Sequence, residues 1–217
     1  MRHDFGAFGA FSPSVVVSPP PWYENCYLVR HIPSGDMAII DPGGNAPGIV
    51  AAIEALGGTP RAIWLTHGHP DHLGAARAIE ERFGISTHAH ADEKTTIARA
   101  GELSRSFTGE DQDGPARLTL FAGGEPLELG GAPVRIIPTP GHTPGGICLD
   151  FGGFVLTGDT LFRHGIGRTD LAGGDEATLV ASITRLLGLV GDEALLFSGH
   201  GPEWSTADAR RWWATMV

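Results

Sequence analysis

Five histidines and two aspartates in this chain are spaced as metal donors. His67, His69, Asp71 and His72 share the segment Thr66-His67-Gly68-His69-Pro70-Asp71-His72, and His142 lies in Pro140-Gly141-His142-Thr143-Pro144. Asp159 follows in Thr157-Gly158-Asp159-Thr160 and His200 in Ser198-Gly199-His200-Gly201-Pro202. Imidazoles interleaved with carboxylates are the ligand types of zinc and iron sites. Seven such donors are too many for one four-coordinate ion but suit two ions sharing a carboxylate. The pattern points to a metal-dependent enzyme. The remaining histidines, His3, His31, His88, His90 and His164, are read as ordinary surface or hydrogen-bonded core residues, the commoner role of a lone histidine.

The elements that must position these donors are legible around them. The apolar run Ala62-Ile63-Trp64-Leu65 precedes the first cluster, so the chain leaves a buried strand and offers its donors from the loop at the C-terminal end. That is where α/β proteins commonly place chemistry. Earlier strands are predicted at 14–18, 26–31 and 37–40, the last ending in the turn Asp41-Pro42-Gly43-Gly44. Asn45 is placed to cap a helix through 56 that Gly57-Gly58 ends. Beyond the cluster the pattern predicts a helix over 71–83 closed by Gly84, a strand at 85–88 and a helix over 91–100. Residues 101–117 are polar and without clear period, and read as a loop or flap. Strands are predicted at 118–121, 126–129, 133–137, 146–151 and 154–156, the last two meeting at Gly152-Gly153. A helix over 175–187, a strand at 194–197 and a helix over 206–214 complete the chain. Mixed sheets with helices outside are the natural class.

At 217 residues the chain is expected to form one domain, 1–217, with a full core. A net charge of −10 argues against a nucleic-acid groove or an anionic membrane surface as partner. No apolar run is long enough to span a bilayer, and the first residues carry no signal-peptide core. Cys26 and Cys148 both lie in apolar, strand-like runs and are expected to be buried free thiols, in keeping with a cytoplasmic location.

Taken in order, these residues resemble the metallo-β-lactamase superfamily over nearly the whole chain. The landmarks are Ile39-Ile40-Asp41-Pro42-Gly43, the Thr66-to-His72 segment, Pro140-Gly141-His142-Thr143, Gly158-Asp159 and Gly199-His200-Gly201. The resemblance implies an α+β fold, a four-layer αβ/βα sandwich of two mixed β-sheets flanked by helices. Gly158-Asp159-Thr160-Leu161-Phe162 and Gly167-Arg168-Thr169-Asp170 look most like the glyoxalase II type of hydroxyacylglutathione hydrolase, in its short bacterial form. By position, His67, His69 and His142 would bind one metal, Asp71, His72 and His200 a second, and Asp159 would bridge them. Asp71 is assigned a part in catalysis as well. The implied cofactor is two divalent ions, zinc first, with iron or manganese accepted by the same donors. Water between two dications is acidified toward neutrality, so hydroxide is available to attack a thioester such as S-lactoylglutathione, whose thiolate leaves without obligatory protonation. Asp41 either orients a donor from behind or serves only as a turn former before Pro42.

For substrate binding, Arg168 matches a basic residue that contacts glutathione in the longer relatives. Arg163 and Arg168 together could attract a substrate carboxylate or simply brace the loop. The tyrosines that accompany such a residue are replaced here, Asp170 standing in one of those places. A second branch also keeps the His-x-His-x-Asp-His segment and a Gly-Arg-Thr-Asp stretch. This is the persulfide dioxygenase, with one iron(II) on positions matching His67, His142 and Asp159. The turns Asp41-Pro42-Gly43-Gly44 and Thr143-Pro144-Gly145-Gly146 look more like the hydrolase branch.

Overall fold

Two mixed sheets face one another in the computed structural model, which describes residues 2–123 and 126–217. The first sheet runs in chain order: β1 (Arg2–Asp4), β2 (Phe11–Val17), β3 (Asn25–His31), β4 (Asp36–Ile40), β5 (Thr59–Trp64), β6 (Thr87–His90) and β7 (Leu118–Phe121). Neighbours are antiparallel from β1 to β4 and parallel from β4 to β7. Each parallel step needs a crossover. These are α1 (Ala46–Leu56), the pair α2 (Pro70–Leu73) and α3 (Ala76–Phe83), and a 3-10 turn (Ala91–Glu93) leading into α4 (Lys94–Ala98) and α5 (Ala100–Thr108). The chain continues through β8 (Leu127–Leu129), β9 (Ala132–Pro138), β10 (Ile147–Asp150), β11 (Phe154–Gly158) and the separate hairpin β12 (Leu161–Phe162) and β13 (Gly165–Ile166). It ends with α6 (Glu176–Leu189), β14 (Leu195–Ser198), β15 (Trp204–Ser205) and α7 (Thr206–Trp213). The second sheet has the order β15-β14-β11-β10-β9-β8, with β11 and β14 parallel.

Side-chain alternation along the strands distributes the apolar residues among three cores. On β3, Cys26 and Leu28 point to the layer of α1 and α3, while Tyr27 and Val29 point between the sheets. On β4, Met37 and Ile39 alternate in the same way with Ala38 and Ile40. In the second sheet, Phe154 and Leu156 of β11 meet the first sheet, and Val155 between them packs with Leu179, Ile183 and Leu186 of α6. The result is the four-layer αβ/βα sandwich. Cys26 and Cys148 are both free and buried. No helix among the described residues is long and apolar enough to cross a membrane.

Asn45 caps α1, its side chain accepting the Gly48 N–H at 3.2 Å, and Gly57 closes that helix in a left-handed conformation. The helix expected over 71–83 is broken in two. Ala75 N donates to Pro42 O instead of continuing the helical ladder, which ties the segment carrying Asp71 and His72 to the turn after β4. The loop expected over 101–117 is a helix for half its length. In α5, Ala100 and Ser104 are buried, Glu102 stands in the first turn, Arg105 in the last, and Gly109 ends it. The helix expected over 91–100 is likewise a 3-10 turn and α4, interrupted at Arg99 (φ −98°, ψ 0°).

Candidate metal centre

All seven donors come together at one edge of the sandwich, at the C-terminal ends of strands from both sheets. β5 delivers His67 and His69, and Pro70 starts the single turn of α2 that carries Asp71 and His72. The second sheet supplies His142 after β9, Asp159 after β11 and His200 after β14. Backbone bonds fasten the two sheets at this edge: Ile147 N donates to Thr66 O at 3.0 Å, and Asn25 N to Gly199 O at 2.8 Å. Asn25 Nδ2 donates to Ser198 O and Gly201 O, and Tyr27 OH to Ser198 O at 2.8 Å, so β3 holds the turn that bears His200.

The donors form two groups around Asp159. In the first, His142 Nε2 lies 3.3 Å from His67 Nε2 and 2.9 Å from His69 Nδ1. In the second, His200 Nε2 is 3.2 Å from Asp71 Oδ2, and His72 Nε2 is 3.8 Å from the same oxygen. Asp159 reaches both groups: Oδ1 is 3.2 Å from His72 Nε2, and Oδ2 is 3.7 Å from His142 Nε2 and 3.6 Å from His200 Nε2. Two donors bound at zinc distances to one tetrahedral ion stand about 3.3–3.4 Å apart. The observed spacings bracket that value. His3, His31, His88, His90 and His164 belong to neither group.

The outer hydrogen bonds fix which ring nitrogens face inward. Asp41 Oδ1 accepts the Thr66 N–H at 2.7 Å, and Oδ2 accepts both the Thr66 hydroxyl at 2.6 Å and His72 Nδ1–H at 3.0 Å. With its proton given to Asp41, the Thr66 hydroxyl accepts from His67 Nδ1–H at 3.0 Å. His142 Nδ1–H donates to the Arg168 carbonyl at 2.7 Å. The Nε2 atoms of His67, His72 and His142 are thereby turned into the site. His67 Nε2 and His142 Nε2 repel at their spacing unless a proton or metal cation lies between them. His72 Nε2 and Asp159 Oδ1 are buried with no hydrogen-bond partner among the described residues. Buried polar atoms are rarely left so, and a metal cation would satisfy both. The residues present therefore fit a metal centre. Asp41 takes a left-handed backbone (φ 51°), unusual for a residue with a side chain, to bring its carboxylate under both donor groups.

The electrostatics divide the histidines of the metal-free cluster. Burial pushes His67 well below the usual histidine range and, with His142 beside it, takes His69 down to about 4, so both are neutral and able to ligate. Burial would raise Asp71 and Asp159, but His72 and His200 outweigh it and keep both ionised. Burial would likewise depress His72, and the carboxylates of Asp159 and Asp71 overcome it and lift it well above its ordinary value.

Two further acidic residues belong to this edge and are not legible in the motif spacing. Glu24 is buried without a partner for either oxygen among the described residues, and burial pushes its carboxyl well up. Glu93 is buried and clamps two donor loops at once. Its Oε2 accepts Gly68 N–H and its Oε1 accepts Gly145 N–H, both at 2.7 Å. A Cβ at Gly68 would stand 2.9 Å from Glu93 Oε2, and one at Gly145 would stand 3.0 Å from Oε1, so the carboxylate approaches this closely only because both residues are glycine. Glu93→Ala is expected to weaken metal binding by about 10- to 100-fold, the usual cost of losing a group that orients donors. Competition with a chromophoric chelator measures it, and Glu93→Gln, with one acceptor for two N–H groups, should fall between. Unchanged affinity in the Ala variant would mean the two loops hold their shape alone.

A cleft of about 390 Å³ opens onto His69 between the α4–α5 wall and residues 170–173. Arg168 stands at its edge, its guanidinium paired through two 2.7 Å bonds to Asp170 and lying 5.7 Å from the Phe107 ring centre. Arg163 is placed elsewhere, at the tip of the β12–β13 hairpin, where it lines a separate depression with Asp208 and Trp212.

A metallo-β-lactamase superfamily model matches residues 19–200, across the whole donor set. The chain belongs to the metallo-β-lactamase superfamily. Within this superfamily of metal-dependent hydrolases it is 35% identical over 195 residues to the hydroxyacylglutathione hydrolase GloC of Haemophilus influenzae, covering 86% of this chain and 89% of that one. Its fold is similar to that of BLEG-1, a B3 metallo-β-lactamase (TM-score 0.82, 29% identity, 97% of each chain). It is also similar to TTHA1623, solved in a di-iron-bound form (TM-score 0.80, 33% identity, 90% of this chain and 96% of that one).

Proposed function

We propose that this superfamily member is a thioester hydrolase acting on S-acyl thiols such as S-lactoylglutathione. In this reading His67, His69 and His142 hold one divalent ion, Asp71, His72 and His200 hold a second, and Asp159 is shared. The position of Asp159 carries the proposal, since its oxygens face donors of both groups. A single iron on His67, His142 and Asp159 would leave the second group, Asp71, His72 and His200, without an ion. GloC, named as a hydroxyacylglutathione hydrolase, supports the substrate class. The iron pair of TTHA1623 supports two ions, zinc or iron, on such a donor set.

Two dications bound there would acidify water toward neutral pH and polarise an acyl oxygen. The protein's own groups do the rest. Asp71, kept ionised by His72 and His200 and partly open to solvent, accepts a hydrogen bond from the attacking water and orients it. Thr66 and Asp41 keep the His67 and His72 rings from turning. The cleft beside His69 receives the substrate.

The test is turnover by the metal-replete protein of three substrates in parallel: S-lactoylglutathione, a persulfide with oxygen uptake recorded, and a chromogenic cephalosporin. Thioester cleavage should exceed the other two by at least about tenfold in kcat/KM, a difference of 1.4 kcal/mol in transition-state stabilisation. Oxygen uptake with the persulfide and no thioester cleavage would replace this reading with the dioxygenase. Preferential opening of the cephalosporin would replace it with the activity BLEG-1 is named for.

A further inference from the structure

We propose that Arg99 and Glu102, on the wall of the cleft that opens onto His69, hold the zwitterionic amino-acid end of the thiol carrier. The guanidinium takes the α-carboxylate and Glu102 takes the ammonium group. This inference rests on the thioesterase reading and names the carrier class for it.

The cleft sets the scale. Its volume of about 390 Å³ suits a ligand of a few amino-acid residues. His69 lies at one end, so a ligand filling it brings one terminus to the donor cluster and leaves the rest along α4 and α5. Arg99, Glu102 and Asp170 are the charged side chains of its lining.

Asp170 is already committed. Two 2.7 Å bonds to Arg168 hold its carboxyl down at about 2, and the pair neutralises itself. The Arg99–Glu102 contact is different in kind. Only Nε of Arg99 is engaged, at 3.3 Å, and among the described residues its two terminal nitrogens donate to no protein acceptor. That leaves the paired donors of the guanidinium fork available for a carboxylate, the geometry at which arginine excels. Glu102 is 70% exposed and keeps acceptor positions for an ammonium group.

The charge balance selects the class of carrier. One uncommitted cation beside one carboxylate matches an amino-acid end whose own ammonium and α-carboxylate cancel. A carrier ending in phosphates would meet a single free guanidinium and a repelling carboxylate. Thr95, Thr96 and Ser106 line the same wall with hydroxyls suited to peptide amides. The cation that reads the carrier is then Arg99, rather than Arg168, which is tied to Asp170, or Arg163, which faces another depression.

Titration of S-methylglutathione into the metal-loaded protein by calorimetry tests this. The probe is a thioether, so it cannot be hydrolysed and offers no free thiol to a metal. Arg99→Ala should weaken its binding by at least about tenfold and Glu102→Gln by about three- to tenfold, the scale of one charge-assisted hydrogen bond. Arg163→Ala, at a residue facing another depression, should change it less than about twofold on the same scale. Arg99→Ala should also raise KM for S-lactoylglutathione more than it lowers kcat, which a merely structural role would not produce. Equal affinity of wild type and Arg99→Ala would overturn the proposal, as would a wild type that fails to bind the probe. In the latter case, hydrolysis of a small uncharged thioester would leave the thioesterase reading standing. Binding of the probe without hydrolysis of any thioester would remove that reading and keep the subsite.

Discussion

Asp159→Ala is expected to lower kcat/KM for a thioester by at least about 10³-fold and to leave less than one tightly held metal per chain. Its side chain is only 11% exposed, and His72, His142 and His200 all face its two oxygens within 3.7 Å. Asp41, the other carboxylate near both groups, is taken up by the Thr66 N–H, the Thr66 hydroxyl and His72 Nδ1–H. Without it His72, His142 and His200 lose the carboxylate they share, and neither proposed ion keeps its full donor set. Losing the shared donor is expected to remove about 4 kcal/mol of transition-state stabilisation, a factor of roughly 10³. Metal analysis by plasma emission and steady-state turnover on the same preparation report the two effects. Two metals retained at near wild-type activity would show that Asp159 is not shared between the ions.

Asp71→Ala separates two ions from one. Its Oδ2 lies near His200 and His72 only, so the variant should lose the second ion and keep the first. Turnover should fall by about 10²–10³, the scale of removing a few kcal/mol of stabilisation from a developing charge. A single iron on His67, His142 and Asp159 would not use Asp71, and its occupancy and oxygen chemistry would survive the substitution. Metal stoichiometry falling from two to one with thioesterase activity lost supports the two-ion arrangement. One iron before and after, with undiminished activity, sinks it.

The convergence of these seven residues was legible because they lie just beyond short strands, in turns rich in glycine and proline. That signature lies within a few residues of sequence. The layers were legible for the same reason, since Cys26-Tyr27-Leu28-Val29 and Met37-Ala38-Ile39-Ile40 read as strands buried on both faces. Contacts made across the chain left no such trace. Glu93 reads as one more acidic residue in a polar stretch, and only the fold brings it between Gly68 and Gly145. The break at Gly74–Ala75 depends on Pro42 O taking the Ala75 N–H. Helix α5 was missed because its buried stripe is built from Ala100 and Ser104, residues too small to give an apolar period. Its Gly109 terminus and the charges in its first and last turns were the available signal. Strands β1, β12, β13 and β15 are two or three residues long and depend on their pairing partners.

The wall of the cleft is part of the crossover that joins β6 to β7, two parallel neighbours at the end of the first sheet. A crossover must return the chain to the next strand, but its length and surface are otherwise unconstrained by the sheet's register. Residues 94–117 contain none of the seven donors, and the Glu93 clamp lies just before them. Reactivity and selectivity thus sit on different lengths of chain, joined where Gln112 Nε2 donates to Pro70 O at the start of α2. Exchanging 94–117 for the corresponding stretch of a relative would alter which molecules reach the donors while the donors themselves stay where the strand ends put them. An exchange that keeps Gln112 would keep that bond to the donor-bearing turn.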